Sequence, residues 1–439
     1  MSTASLPSYH YELQDAEQRL AHRERNAVRP RPSGNFVKNS RSGEIILRLA
    51  GQKDDATLPE YGRGATVDGT VELTKPDNIQ KVEVKIEGEL VIKEIAEGGT
   101  STSGLCLDVK TLWNKSTANG SPCPTSSAFS LTLPVTFFDG KADYPLPPTF
   151  EAQLSGVPGF HAKINYRVSA VVHRSKVSLF GIANSTVSTP FIYHPRTRPA
   201  LPLPSPLLSS AVNPGAIHND DWALYESRIK CKLPRGEDVW SKLYLPALRV
   251  FSMQERIPFH LYFTSTAMSL AAFLPFTPST SRNSSPPNSA SGRAAMHTTR
   301  IQLFRQNAVD VRSITKRTNR HLLPGNKTDI WKTVQIGEGT FAHDGDGPDW
   351  MAWSGEIVVD RSVRVGGFKA SGLTVKDYIV LSMVPPDPLK GPFTELRQVV
   401  PIRLTTDSFS ADMTGERFGE YSEPSQPEDN VDENHEVRA

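Results

Sequence analysis

The sequence is short of cysteine, of long apolar runs and of net charge. Its cysteines number 3 in 439 residues. Cys106, Cys123 and Cys231 are too few and too widely spaced for a disulfide framework or a Cys-x-x-Cys metal motif. No stretch approaches the ~18–20 apolar residues of a membrane-spanning helix; the longest candidate, residues 268–275 (MSLAAFLP), is far shorter. The first residues, MSTASLPSYHYELQDAEQRL, lack the basic region and apolar core of a secretory signal. Lys+Arg 49 against Asp+Glu 47 gives a net charge of +2, so no global field draws the chain to nucleic acid or to a membrane. These absences imply a soluble protein of a reducing compartment. The Asn-x-Ser/Thr sequons at Asn114, Asn119, Asn184 and Asn326 are accordingly read as chance matches.

Signatures of catalysis are equally sparse. No GxSxG, P-loop, HExxH or GxGxxG in a strand–helix context occurs. The stretch 343–349 (HDGDGPD) superficially resembles a calcium loop. It lacks EF-hand spacing, however, and Gly355 stands where the twelfth-position carboxylate would be, so it reads as a polar hairpin loop. The 11 histidines are scattered, with His161, His173 and His260 assigned to strand faces or edges. Trp113, Trp222, Trp240, Trp331, Trp350 and Trp353 suit core or edge packing better than a carbohydrate platform. The sequence implies no enzyme, no cofactor and no metal.

What the chain does have is turn residues, Gly 30 and Pro 35, between short alternating runs. In residues 81–90 (KVEVKIEGEL), Val82, Val84, Ile86 and Leu90 share one face while Lys81, Glu83, Lys85, Glu87 and Glu89 share the other. Only the period of a half-buried strand fits that pattern. Ile164, Tyr166, Val168, Ala170 and Val172 repeat it. Further strands are expected over 44–49, 66–73, 105–113, 129–135 and 190–193. Beyond the Pro-dense stretch 195–214 they resume over 222–232, 242–251, 257–264, 300–303, 330–336, 353–359, 378–384 and 396–405. No amphipathic helix of length is visible between 43 and 408.

The expected organisation is an all-β chain of two immunoglobulin-like β-sandwiches in tandem. A disordered polar head covers 1–42, within which 12–25 is a short helical possibility broken by Pro30 and Pro32. The first sandwich covers 43–195, a Pro-rich extended linker 196–219, and the second sandwich 220–408. A Ser/Pro-rich disordered insert, densest over 275–293 and reaching 299, interrupts the second sandwich. An acidic disordered tail closes the chain over 409–439.

The order of the strands carries a resemblance. Tyr61, Gly64, Val67, Gly69 and Val71, followed by an alternating strand ending in Gly88, resemble the opening signature of an arrestin N-domain. Phe129-Ser-Leu-Thr-Leu-Pro134 and Ile164-Asn-Tyr-Arg-Val-Ser-Ala170 resemble its later strands, and Ser188-Thr-Pro-Phe-Ile-Tyr-His-Pro195 its exit. The second half is similar to an arrestin C-domain in size and strand texture. The chain most resembles the fungal α-arrestins, the arrestin-related trafficking adaptors, over roughly 43–408. No charged constellation like the polar core of visual-type arrestins is visible, so phosphate-triggered activation is not implied.

The resemblance implies a non-enzymatic cytosolic adaptor, recruited peripherally to plasma membrane or endosomes. It would link cytoplasmic segments of transporters or receptors to a HECT-type ubiquitin ligase with WW domains. An arrestin-fold sorting subunit without a ligase, or a carbohydrate-binding β-sandwich, is the alternative. Leu6, Pro7 and Tyr9 form an LPxY element, a relative of the PPxY ligand. Its Pro pre-forms a polyproline-II turn for an aromatic groove, and the Tyr fills a second pocket. The same letters at residues 58–61 (LPEY) belong to the domain signature and read as structural. Arg282, Ser285 and Pro287 would resemble a 14-3-3 ligand once Ser285 is phosphorylated, with Thr277 before Pro278 a second phosphorylation site.

Overall fold

The structure of the protein, a computed structural model, describes residues 16–20, 34–54, 56–95, 99–174, 184–207, 220–279, 299–310, 329–387 and 390–411, and the backbone of 416–417. It is all-β apart from one short helix and a 3-10 turn. β1 (Glu17–Leu20), β2 (Gly34–Asn39), β3 (Ile45–Gln52), β4 (Glu60–Tyr61) and β5 (Thr66–Leu73) open the chain. The long β6 (Ile79–Glu94) and β7 (Thr100–Asn114) follow, then β8 (Ser126–Thr132), β9 (Thr136–Phe138), β10 (Asp143–Pro145) and β11 (Phe150–Leu154). β12 (Phe160–Arg174), β13 (Ser185–Tyr193) and β14 (Arg196–Pro199) complete the first half.

The second half runs through β15 (Trp222–Ile229), β16 (Val239–Pro246), β17 (Val250–Ser252) and β18 (Ile257–Thr264) to α1 (Ala267–Phe273) and the 3-10 turn Leu274–Phe276. It continues through β19 (Thr299–Val309), β20 (Ile330–Asp346), β21 (Trp350–Val359) and β22 (Phe368–Ala370). β23 (Leu373–Met383), β24 (Leu396–Thr405) and β25 (Glu416–Arg417) end it.

In the first half a six-stranded sheet, β4-β13-β12-β6-β7 with β11 on β12, faces the four-stranded β2-β3-β5-β8 across one apolar core. The alternation of β6 is what makes this possible. Val82, Val84, Ile86 and Leu90 are each at most 1% exposed, while the charged set faces outward. There Glu87 meets Lys85 at 3.0 Å and Arg167 at 2.9 Å, and His173 meets Glu83 at 2.9 Å. Such surface pairs contribute about 0–1 kcal/mol each, so apolar burial rather than the ion pairs holds the sheet. Gly88 is required by a close approach: a Cβ there would lie 2.5 Å from the Tyr166 ring, beside the bulge that interrupts β6–β7 pairing. Tyr61 is 3% exposed and stands edge-on to Phe191 at 5.1 Å, so residues 58–61 end in a core side chain.

In the second half ten strands form one sheet, β15-β16-β18-β21-β20-β19-β23-β24-β17 with β22 on β23, wrapped about a second core rich in phenylalanine. The first core does not stop at the first half. Val309, Ile330, Ala370 and Leu373 belong to it, and Phe368 packs edge-on against Phe150 at 5.1 Å. No helix among the described residues is long and apolar enough to cross a membrane.

Several expectations are corrected. Residues 17–20 are not helical, nor part of an unstructured head. They pair as β1 with β14 and, through Gln18 and Arg19, with β25; a short isolated helix is marginal because its nucleation is costly, whereas the edge of β14 supplies a ready-made ladder. The expected head, 1–42, also contributes β2, Gly34–Asn39, paired with β3. The Pro-rich linker begins as β14, and Leu207 is buried beside Trp222, whose indole N–H donates to the Ser205 carbonyl at 3.2 Å. The Ser/Pro insert is narrower than 275–299. Phe276 packs against Phe273 and Phe393, and Thr299 is the buried first residue of β19, its hydroxyl donating to the Phe276 carbonyl. The apolar run 268–275 curls into α1 and the turn, where Leu270 and Phe273 reach the core. The tail supplies β25. The polar stretch 343–349 splits between the end of β20 and the turn into β21.

Candidate functional site

Among the described residues, the buried charged side chains Glu17, Arg19 and Arg198 gather at β1 and its partner β14. Side chains alternate across a strand, so Glu17 and Arg19 share one face of β1 and Gln18 takes the other. Glu17 is 1% exposed and accepts from Arg403 of β24, from Nε at 2.9 Å and a second nitrogen at 3.5 Å. On the opposite face Gln18 accepts from Arg198 Nε at 2.8 Å. Within β14, Pro199 disfavours a helical Arg198 and keeps it extended. Arg196 grips Asp407, its Nε lying 3.1 and 3.0 Å from the two carboxylate oxygens and a second nitrogen also in contact.

The wall of the second half is fixed by a different pair. Arg305 donates to both oxygens of Asp377, at 2.7 and 2.9 Å, and to the Val365 carbonyl at 2.7 Å. Asp377 is fully buried, and this fork ties the segment before β22 to the sheet. His194 adds a link between halves. Its Nε2 lies 3.0 Å from the Arg364 carbonyl and its Nδ1 3.3 Å from Glu60. Lys369 of β22 reaches across to Tyr144 of β10, 3.2 Å from the hydroxyl and 5.0 Å from the ring centroid.

Between these walls a cavity of about 90 Å3 opens to solvent. Arg19, Arg63, Arg196, Lys369 and Arg403 line it, together with apolar surface from Tyr144, Leu146, Phe368, Val375 and Leu404. Burial pulls the Arg19 guanidinium down to about 10; Glu17 opposes the shift, and Arg63 and Arg403 add to it. For the Asp407 carboxyl, burial pushes upward, but the hydrogen bonds from Arg196 and Thr406 prevail and hold it below its ordinary value. Chemically this is a cationic, partly apolar recess. No group of three or more His, Cys, Asp or Glu suited to a metal ion occurs among the described residues.

Leu6, Pro7, Tyr9, Arg282, Ser285 and Pro287 fall outside the described residues. Thr277 is described: half-buried, it ends the 3-10 turn, its hydroxyl donating to the Leu274 carbonyl at 2.8 Å. The tryptophans are dispersed. Trp113, Trp222, Trp350 and Trp353 pack inside, while Trp240 and Trp331 are exposed on separate strands. The charged cluster at β1 is not legible in the sequence, because its members come from positions as far apart as Glu17 and Arg403. The one local signal is the pair Arg196 and Arg198, alternating between Pro195 and Pro199 in the Pro-rich stretch. No protein-family model matches the chain, and no curated protein matches it.

Proposed function

We propose that this protein is a non-enzymatic cytosolic adaptor of arrestin-like build. One surface holds the cytoplasmic segment of a transporter or receptor while Leu6, Pro7 and Tyr9 recruit a WW-domain ubiquitin ligase of the HECT class. The bound ligase then modifies the cargo for endocytosis and sorting at the plasma membrane or endosomes. Phosphorylation at Ser285, gripped beside Arg282 by a 14-3-3-type reader, regulates the assembly.

The observation that supports this reading most is the anchorage of β1. Glu17, eight residues after Tyr9, is 1% exposed and ion-paired to Arg403. Eight residues span at most about 26–29 Å when fully extended. A ligase docked on the motif is therefore tethered close to the seam between the two halves. Weak motif contacts gain effective concentration from a short tether once cargo is held nearby.

Affinity purification of the full chain, with and without residues 1–12, tests the proposal. Loss of ligase and retention of membrane cargo upon truncation is the expected result. Cargo without ligase in both preparations favours a sorting subunit, and neither partner in either preparation refutes the adaptor.

A further inference from the structure

We propose that the free edge of β7 pairs with β7 of a second copy of this chain, joining two six-stranded sheets into one. β7 ends the sheet order β4-β13-β12-β6-β7, and among the described residues no strand pairs with its far side. Residues 107–111 are exposed at every position, Leu107 at 68% and Val109 at 48%. Bulges in the β6–β7 ladder, one at Leu105 and one at Leu112, bracket this regular stretch. Directly opposite residues share a face of a sheet. Leu107, Val109 and Thr111 stand opposite Glu87, Lys85 and Glu83 and so face outward. Asp108 and Lys110 stand opposite Ile86 and Val84 and share the core-facing side. Lys110 stays exposed there, its ammonium donating to the Ser130 carbonyl of β8 at 3.5 Å.

An unpaired edge is a template for another strand, and charges turned toward the core side commonly guard it. Here the guards carry opposite signs two residues apart, which selects a partner instead of excluding one. A two-fold axis normal to the sheet keeps each face on its own side, so the copy lies antiparallel with one β7 residue opposite itself. Centring on Val109 sets Asp108 opposite the partner's Lys110, twice, with Val109 on the partner's Val109 and Leu107 on the partner's Thr111 across the outer face. Centring on Asp108 or Lys110 instead sets that charge against its own copy, which is unfavourable. A slip by a single residue turns the outer set toward the core side. The charges therefore admit one register, and the consumed edge leaves nothing for a third chain. β9 lies against β7, and its exposed Phe138 extends the apolar surface beside the edge. At ~3.4 Å per residue, 107–111 span about 17 Å, the reach of a small interface and a reversible dimer. This inference is independent of the ligase and cargo partners proposed above, and its test involves neither.

Sedimentation equilibrium of the full chain, with hydrogen exchange at low and high protein concentration, tests the pairing. The expected result is a monomer–dimer equilibrium in the micromolar range, with the amides of 107–111 slowed as the dimer fills. Asp108→Lys or Lys110→Asp sets like charges opposite each other twice and is expected to weaken dimerisation about tenfold. The double variant Asp108→Lys with Lys110→Asp exchanges the signs and is expected to restore it. Lys390→Glu, exposed in the second half, is expected to leave it unchanged. Circular dichroism establishes that each variant folds; should one fail, Asp108→Asn and Lys110→Gln take its place, each expected to weaken the dimer measurably. A chain that stays monomeric at about 1 mM leaves the edge to an extended segment of another protein and overturns the proposal. Dimerisation without protection at 107–111, single reversals that leave the dimer intact, or a double variant that associates no better than the single ones would overturn it equally.

Discussion

Glu17 and Arg403 stand 386 positions apart in the chain and share a two-pronged ion pair, its shorter arm 2.9 Å, on a carboxylate that is 1% exposed. The pair closes the chain on itself, joining the first described strand to the last long one. Removing one partner of a buried pair leaves the other charge without compensation, at a cost of about 3–5 kcal/mol when burial is complete. The Arg403 side chain is 23% exposed, which screens part of that cost. Glu17→Gln is accordingly expected to lower unfolding stability by about 2 kcal/mol in urea denaturation. Adding Arg403→Met is expected to restore part of the loss, as a double-mutant cycle detects. Additive losses would show that the two residues do not act as a pair.

This pair also marks the limit of what the sequence made legible. Alternation in β6 exposed its two faces directly, and the expected strands over 66–73, 257–264 and 396–405 coincide with Thr66–Leu73, Ile257–Thr264 and Leu396–Thr405. Those strands bury apolar side chains on at least one face, and that period is written in the residues themselves. β1 reads Glu-Gln-Arg-Leu, with polar groups on both faces, so four residues offer no apolar period and good helix formers invite the wrong assignment. Its strand identity comes from β14 and its burial from Arg198 and Arg403, partners that no local window contains.

The two LPxY-like segments are expected to separate cleanly. Tyr61 is 3% exposed and packed on Phe191, so Tyr61→Ala opens a cavity and is expected to cost about 3–5 kcal/mol of stability. Tyr9→Ala is expected to abolish binding to isolated WW domains with no change in melting temperature. Measuring both quantities on both variants decides the matter, and an exchange of the two phenotypes refutes the assignment of Leu6, Pro7 and Tyr9 as the ligand.

Acid is expected to loosen the clasp between β14 and the end of β24. The Asp407 carboxyl is held below its ordinary 3.8 by Arg196 and Thr406, against the upward push of burial. A carboxyl depressed in the folded state binds fewer protons folded than unfolded, so its contribution is full above its ordinary value. That contribution is lost as pH falls below about 4, through the folded value. Asp407→Asn is therefore expected to be less stable than the wild type at neutral pH, and the difference is expected to shrink below pH ~4. Parallel urea midpoints across that range measure it; a difference that does not change with pH assigns the loss to packing instead.

The insert in the second half is expected to be regulatory yet mechanically uncoupled from the fold. Its two ends are stapled: the Thr299 hydroxyl donates to the Phe276 carbonyl, Phe276 packs on Phe273 and Phe393, and Thr299 is 2% exposed. Whatever occurs over 280–298 therefore starts and finishes at fixed points of the core. Loop-closure entropy varies slowly with length, so halving the segment shifts stability by only about 0.6 kcal/mol. Replacing 280–298 with a short Gly-Ser linker is expected to leave the melting temperature nearly unchanged while abolishing capture by a 14-3-3-type reader. Phosphate at Ser285 adds about −1.5 to −2 charge. Beside Arg282 alone that charge is expected to do little to the fold, and the proposed effect comes through a dimeric reader that would mask the cargo surface or Leu6, Pro7 and Tyr9. Ser285→Ala is expected to reproduce the loss of reader binding and to change cargo turnover. Unchanged partners and turnover, with Ser285 verified as phosphorylated in the wild type, would make the segment an inert spacer.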